Sequence, residues 1–146
     1  MTKSATFTAL LIGIVFCFLL IPEVARPDAV YLGGISTHIA SPDSQYNQSH
    51  DLIAYERNVY LVGRFKNSYN RTSYVAAKGW HEHRGYLRLS LFVGGVYGYR
   101  SCYGDEGTEA RLCPMLAPSA TYTRWRVQPA VFLFGEALVL SARVEI

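Results

Sequence analysis

The sequence predicts an all-β chain, folded as an eight-stranded antiparallel up-and-down membrane β-barrel. From Val30 onward, apolar and polar residues alternate with a period of two, and no stretch carries a helical apolar stripe through three turns. The alternating segments are even in number, and most connectors on one side are longer than those on the other, which is typical of outer-membrane barrels. Half of the 146 residues are hydrophobic and only 17% are charged, a low charge content for a small soluble protein.

Each strand is placed by its alternation and by the turn residues that bound it. In the last strand, Arg143 and Glu145 alternate with aliphatic residues, so both charged side chains are predicted to point into the barrel. The fifth strand separates less cleanly, because Phe92 shares a face with Arg88, and this leaves open a soluble lipocalin-like barrel with its apolar face inward. The predicted strands are 30–39, 51–57, 59–66, 73–80, 86–99, 114–123, 125–134 and 137–146.

Composition excludes one class of partner and favours another. The net charge is only +3, and the densest basic group is the pair flanking Trp125, so no nucleic-acid partner is predicted. Tyrosine is abundant, with eleven residues, and tyrosine and tryptophan concentrate at membrane interfaces. Trp80 is expected to anchor at one interface, with Lys78 facing lipid close by and extending its amine towards water.

Residues 1–29 predict a signal peptide, which leaves 30–146 as the barrel domain. Lys3 supplies the positive start, and the apolar run 7–21 has fifteen residues, fewer than the roughly 20 that a membrane-spanning helix needs. The region around Pro22 and Pro27 lacks the usual pair of small residues for cleavage, so an uncleaved inner-membrane anchor is the alternative. Together the signal and the barrel predict export to the outer membrane of a Gram-negative cell.

The cysteines indicate a disulfide. Without the signal segment, Cys102 and Cys113 remain, and an exported chain meets an oxidising compartment where such a pair is expected to form a bond. The spacing fits no metal motif and no histidine lies nearby in sequence, so no metal site is predicted.

Three polar residues that can act together in catalysis lie on the predicted side of the long connectors. His38 ends the first strand, and Asn67 and Ser68 follow the third. A histidine can accept the proton of a hydroxyl near neutral pH, and a hydroxyl activated in this way can attack an ester carbonyl. Chance proximity is the alternative interpretation, because loops are rich in these residue types.

Five short motifs follow one another along the chain: T-H-I at 37–39, Y-N at 46–47, F-K-N-S-Y-N at 65–70, G-W at 79–80 and P-M-L-A-P at 114–118. Their order, with the ungapped distance from Ser68 to Gly79, resembles that of the lipid A palmitoyltransferase family, which are PagP-like eight-stranded barrels of the outer membrane. The resemblance extends over most of residues 35–146, although identity outside the motifs is low.

The resemblance implies roles for the three rim residues. His38 matches the family's essential histidine, Ser68 matches its essential serine, and Asn67 stands where the family usually has aspartate. An asparagine can orient a histidine through a neutral hydrogen bond, but it stabilises the positive charge of a protonated ring less well than a carboxylate does.

The resemblance also implies an acyl pocket and an entry route. Gly79 matches the glycine at the floor of the family's acyl pocket, although a glycine required by a barrel bend is an equal alternative. The family's lateral gate for lipid is matched by three prolines, which cannot donate to the strand ladder. Gly33 and His50 stand where the family has a second proline pair. The matching prolines of the lateral gate are Pro114, Pro118 and Pro129.

The function implied by the resemblance is a monomeric acyltransferase that moves an acyl chain from a phospholipid donor to lipid A. His38 would act as general base and Ser68 as nucleophile or proton relay, without a metal or organic cofactor. The alternative is a non-catalytic barrel that alters or masks the cell surface, for example through its 102–113 loop. Four departures from the family favour this alternative: Asn67, the lost second proline pair, Ile146 in place of a terminal aromatic residue, and the lack of room for the family's helix before the barrel.

Overall fold

The structure is a computed structural model that describes residues 27–39, 45–102 and 109–146. In these ranges eight strands, each antiparallel to its neighbours, form one closed barrel, with β8 pairing with β1. No helix in the same ranges is long and apolar enough to cross a membrane. The strands are β1 (Ala29–His38), β2 (Ile53–Arg57), β3 (Tyr60–Lys66), β4 (Thr72–Arg84), β5 (Leu87–Tyr99), β6 (Arg111–Tyr122), β7 (Val127–Phe134) and β8 (Ala137–Glu145).

The predicted barrel of eight antiparallel strands is confirmed, and its strand bounds differ at several ends. β4 continues to Arg84, four residues beyond the predicted end, and the chain turns at Gly85, whose φ of 61° favours glycine. The prediction stopped β4 early because its last residues are polar, although the first of them, His81, contacts Ser90 and Glu56 inside the barrel. β6 begins at Arg111 instead of Pro114, and β7 begins at Val127 instead of Trp125.

The start of the barrel lies close to the predicted domain boundary. β1 begins at Ala29, one residue before the predicted start, and Ala29 pairs with both Glu56 and Glu145. Residues 1–26, which hold most of the predicted signal peptide, lie outside the described residues.

The inner and outer faces of the strands are those that the alternation predicts. Arg143 is buried on the inner face of β8 and donates to the Glu145 carboxylate at 2.6 Å, while Leu138 and Leu140 are exposed on the outer face. On β5, Arg88 and Phe92 are both fully buried. The apolar residues on both faces of β5 therefore belong to a barrel with an apolar exterior and a mixed interior.

The end of the barrel that carries the turns at Asn58 and Gly85, here the lower end, has a polar interior. Five buried side chains, Tyr31, Glu56, His81, Arg88 and Arg143, form what we call the charge cluster. Its centre is the Glu56 carboxylate, which accepts from the Tyr31 hydroxyl at 2.8 Å and pairs with the guanidinium of Arg88. His81 Nε2 lies 3.0 Å from Glu56, and Arg143 Nε lies 3.7 Å away.

Candidate active site

The opposite half of the barrel, here the upper half, encloses a cavity of about 790 Å³. Its wall is mostly apolar, and it reaches from the loops at the upper end down to the ring of Phe92. Phe92 is fully buried, and its ring centroid lies 5.9 Å from that of Phe132. A cavity with this lining suits an apolar ligand. The apolar lining includes Leu61, Phe65, Val75, Met115, Phe132 and Phe134.

His38 and Ser68 meet at the top of this cavity, and both side chains line it. The Nε2 atom of His38 lies 3.0 Å from the Ser68 hydroxyl oxygen, within hydrogen-bonding distance. The Tyr46 ring packs on the imidazole with its centroid 4.3 Å away. His38 is buried as the last residue of β1, and Ser68 follows the end of β3, so two strand ends fix the pair. The pair has the geometry of a base and a hydroxyl nucleophile.

Asn67 lies beside Ser68 in sequence, but its side chain points to other partners. The amide nitrogen donates to Ser73 Oγ at 3.0 Å and to the Gly98 carbonyl at 3.4 Å. The amide oxygen accepts from the backbone N–H groups of Tyr69 and Arg71 at 2.9 and 3.0 Å. Asn67 is fully buried, and these four bonds shape the turn after β3. The structure thus brings His38 and Ser68 together and gives Asn67 a role in the loop.

His50 is a cavity residue that the sequence reasoning noted only as a replacement for a proline. One ring nitrogen, Nδ1, bonds to the Lys66 carbonyl, and Nε2 lies 2.6 Å from Ser36 Oγ. Its backbone N–H donates to the Gly34 carbonyl at 2.8 Å, a bond that proline could not make. This bond helps to join β1 to the segment before β2, where the family has its second proline-flanked opening. No signal in the sequence connects His50 with Ser36 or Lys66.

Gly79 lies on the inner face of β4, and the ring of Phe92 separates it from the cavity. A Cβ atom at Gly79 would lie 2.7 Å from Phe92 Cε1 and 2.7 Å from His81 Cε1. The space that a side chain would need at Gly79 is therefore already occupied by these two rings. Gly79 supports the cavity floor by letting Phe92 pack closely, and Phe92 itself forms the surface of that floor.

The seam between β6 and β7 is short. Its ladder holds the pairs Ser119↔Phe132, Ala120↔Val131 and Thr121↔Ala130. Pro118 directly precedes Ser119 on β6, and Pro129 directly precedes Ala130 on β7. A proline therefore lies beside each end of the ladder.

Above this ladder, β6 stays paired with β5. Within the described residues, this upper part of β6 forms no ladder pairs with β7. Pro114 and Leu116 of this stretch line the cavity, and Leu116 is also exposed on the outer surface. Three of the sequence-predicted residues, Pro114, Pro118 and Pro129, thus lie along one seam, and the cavity reaches the wall beside it.

Cys102 and Cys113 form the predicted disulfide, and both line the cavity at its upper end. Residues 103–108, most of the loop considered as a binding surface, lie outside the described residues. Among the described ranges, no group of three or more His, Cys, Asp or Glu residues is placed to hold a metal ion.

Comparison with known proteins adds no relative: no protein-family model matches the chain, and no curated protein matches its sequence. The interpretation of the site therefore depends on its own geometry and on the motifs described above. That geometry consists of a histidine–serine pair, an apolar cavity beneath it and a short seam in the cavity wall.

Proposed function

We propose that this protein is an outer-membrane acyltransferase that moves an acyl chain from a phospholipid to lipid A. The observation that carries the proposal is the His38–Ser68 pair at the mouth of a deep apolar cavity. A buried histidine within hydrogen-bonding distance of a serine provides a base and a nucleophile, and the cavity provides room for a hydrocarbon chain.

The outer surface supports a place in a membrane. Leucine, valine and isoleucine side chains are exposed around the barrel, and tyrosine and tryptophan side chains are exposed near its ends. Lys78 faces outward on β4 but is only 5% exposed, because its amine lies 5.9 Å from the Tyr60 ring centroid and 5.7 Å from that of Trp80. This arrangement suits a lysine that is covered by aromatic rings at the edge of the hydrocarbon layer.

The geometry supports a two-step transfer. The Ser68 hydroxyl attacks the ester carbonyl of the phospholipid while His38 Nε2 accepts the hydroxyl proton. The ester C–O bond then breaks, and the lysophospholipid leaves with the proton returned by His38. In the second step, a hydroxyl of lipid A loses its proton to His38 and attacks the acyl-Ser68 carbonyl. The C–O bond between the acyl group and Ser68 breaks, and His38 returns the proton to the Ser68 oxygen, which restores the hydroxyl.

The seam beside Pro114 and Pro118 gives a route for the donor. A phospholipid in the membrane could enter its acyl chain sideways at the stretch of β6 above the ladder, without leaving the hydrocarbon layer. The chain would then extend down the cavity towards Phe92. In this proposal, the ring of Phe92 sets the depth that the chain can reach, and Gly79 sets the position of that ring.

Mass spectrometry of lipid A tests the proposal in cells that lack their own acyltransferase. The wild-type chain is expected to add one acyl chain to lipid A, while His38→Ala and Ser68→Ala add none because each removes one member of the pair. Ser101→Ala is the matched control, since it removes a hydroxyl from the same cavity wall outside the pair. Addition that survives both His38→Ala and Ser68→Ala would reject this pair as the catalytic one.

A non-catalytic barrel that modifies or masks the cell surface is the second candidate. One observation favours it: the Asn67 side chain is neutral and hydrogen-bonds to Ser73, to the Gly98 carbonyl and to its own loop. The position where the family has aspartate therefore provides no negative charge beside His38. On this candidate, lipid A keeps its mass while the barrel still reaches the outer membrane. Slower migration after boiling, compared with cold SDS, would show the folded membrane barrel and would also separate both candidates from a soluble one.

A further inference from the structure

We propose that His50 is a positioning residue for Ser68, a role that rests on the proposed function of the His38–Ser68 pair. The observation is a row of three consecutive backbone carbonyls, which belong to the last residue of β3 and to the two residues that follow it. Those of Lys66, Asn67 and Ser68 each accept a hydrogen bond from either Asn47 or His50. The backbone of the nucleophile is therefore held by one short segment that lies across it.

The three bonds come from different groups. His50 Nδ1 bonds to the Lys66 carbonyl, the Asn47 side-chain amide donates to the Asn67 carbonyl at 3.3 Å, and the Asn47 backbone N–H donates to the Ser68 carbonyl at 2.8 Å. His50 supplies the bond nearest to β3 and is itself buried, which limits its movement. Among the three, the His50 bond joins a buried side chain directly to the end of β3, two residues before Ser68.

The contacts of His50 fix its tautomer. A carbonyl oxygen only accepts, so Nδ1 must carry the proton that is shared with Lys66. In the neutral ring, Nε2 is then the acceptor for the Ser36 hydroxyl, at 2.6 Å. Ser36 lies on β1 two residues before His38. His50 thus links the strand that ends in His38 with the strand that leads to Ser68.

The same segment also contacts His38 directly. Tyr46, next to Asn47, packs its ring on the His38 imidazole at a centroid distance of 4.3 Å. Residues 46–50 therefore contact both members of the pair, one through a ring and the other through its backbone. Since a displacement of about 1 Å can slow a reaction on the order of 100-fold, a residue that fixes the 3.0 Å contact between His38 and Ser68 affects the rate through that contact.

Two substitutions at His50 separate the contributions of its two nitrogens. Asn places an amide N–H near the position of Nδ1 and keeps the bond to Lys66, whereas Gln places its amide nearer to Nε2 and leaves the Lys66 carbonyl without its donor. We expect His50→Asn to restore most of the wild-type rate and His50→Gln to lower kcat about tenfold with KM nearly unchanged, because the Nδ1 hydrogen is directed to the Lys66 carbonyl and positions the nucleophile. Cold-SDS migration of both variants checks that the barrel folds.

A second readout does not need acyl transfer. In chains carrying Ser68→Cys, the rate of alkylation by iodoacetamide reports how well His38 draws the proton from position 68. This rate is expected to fall about tenfold when His50→Gln is added and to stay within about twofold when His50→Asn is added. The chain without Ser68→Cys measures background labelling, and His38→Ala in the Ser68→Cys chain gives the rate without the base.

The two readouts distinguish failure of this inference from failure of the proposed function. Equal alkylation rates in the His50→Gln and His50→Asn chains would overturn the positioning role, whatever the transfer activity is. If the wild-type chain transfers no acyl group, while alkylation of the Ser68→Cys chains depends on the Lys66 donor as stated, the proposed function is rejected and the positioning role is kept.

Discussion

The lower and upper halves of the barrel interior are filled in opposite ways. In the lower half, the Glu56 carboxylate is surrounded by Tyr31, His81, Arg88 and Arg143, and buried charge is matched by buried charge. In the upper half, an apolar cavity is left open beneath one histidine–serine pair. The lower half therefore acts as a rigid support, whereas the upper half has the room and the polar pair that a ligand-binding site needs.

The boundary between the two halves is a layer of aromatic rings. Phe92 and Phe132 pack at 5.9 Å between centroids, and Tyr31 contacts Phe132 at 5.3 Å while its hydroxyl reaches down to Glu56. This layer separates the charge cluster from the cavity. A barrel can hold an apolar chain beside buried charges only when such a layer keeps the two apart.

The largest effect is expected in the lower half. Glu56→Ala would leave the guanidinium groups of Arg88 and Arg143 without their central carboxylate, and breaking a buried ion pair costs about 3–5 kcal/mol. We expect the fraction of folded barrel to fall sharply. Urea unfolding in detergent or cold-SDS migration measures this fraction. An unfolding midpoint equal to that of the wild type would mean that the charge cluster does not support the barrel.

The next effect concerns the loop that carries the pair. Asn67→Asp introduces the residue that the family resembled by the motifs has at this position, but a carboxylate cannot donate to Ser73 or to the Gly98 carbonyl as the amide does. Loss of these buried bonds is expected to destabilise the barrel by about 1–3 kcal/mol and to leave transfer no faster than in the wild type. Asn70→Asp in the same turn is the control, because Asn70 is exposed. Faster transfer by Asn67→Asp would show that this side chain can turn to His38.

The aromatic layer can be tested from below with Gly79→Ala. Because the added Cβ would lie 2.7 Å from the Phe92 ring, that ring is expected to shift upward into the cavity at a cost of about 1–2 kcal/mol. A shallower cavity should select a shorter acyl chain, which mass spectrometry of the product measures. Gly95→Ala on β5 is the control, because its Cβ would meet the end of the flexible Leu112 side chain. Unchanged chain length with a folded barrel would contradict this view of the floor.

The smallest effect sharpens the first comparison. Glu82 and Arg84 form an ion pair at 2.9 Å, with side chains that are 63% and 70% exposed. Glu82→Ala should change the free energy of unfolding by less than about 0.5 kcal/mol, because water screens exposed pairs. Urea unfolding in detergent, as for Glu56→Ala, measures this change in the free energy of unfolding. If Glu82→Ala lowered the free energy of unfolding as much as Glu56→Ala does, burial would not decide how much a carboxylate contributes to stability.

The architecture could be predicted from the sequence because it depends on local alternation. The eight strands and the inward direction of Arg143 follow from residue spacing, and the Cys102–Cys113 pair is predicted because two cysteines remain outside the signal segment. The end of β4 could not be found in this way. His81 continues the strand: its Nδ1 lies 2.8 Å from Ser90 Oγ on the neighbouring β5, and its Nε2 lies 3.0 Å from the Glu56 carboxylate on β2. No local pattern in the sequence shows that these partners lie within reach.

The site could be predicted only in part, for the same reason. The motifs brought His38 and Ser68 to attention, and the structure places them in contact. The direction of the Asn67 side chain depends on Ser73 and on the Gly98 carbonyl of another strand, and the contacts of His50 depend on how residues 46–50 cross the end of β3. These are long-range contacts, which residue spacing along the chain does not encode.

The most direct test of the central claim uses the purified barrel, refolded in detergent with a phospholipid carrying a labelled acyl chain and with lipid A. We expect the label to move to lipid A, and we expect His38→Ala and Ser68→Ala to reduce transfer by at least about 1,000-fold while cold-SDS migration stays that of the folded barrel. A folded wild-type barrel that transfers no label would contradict the proposed function and leave an eight-stranded barrel without this chemistry.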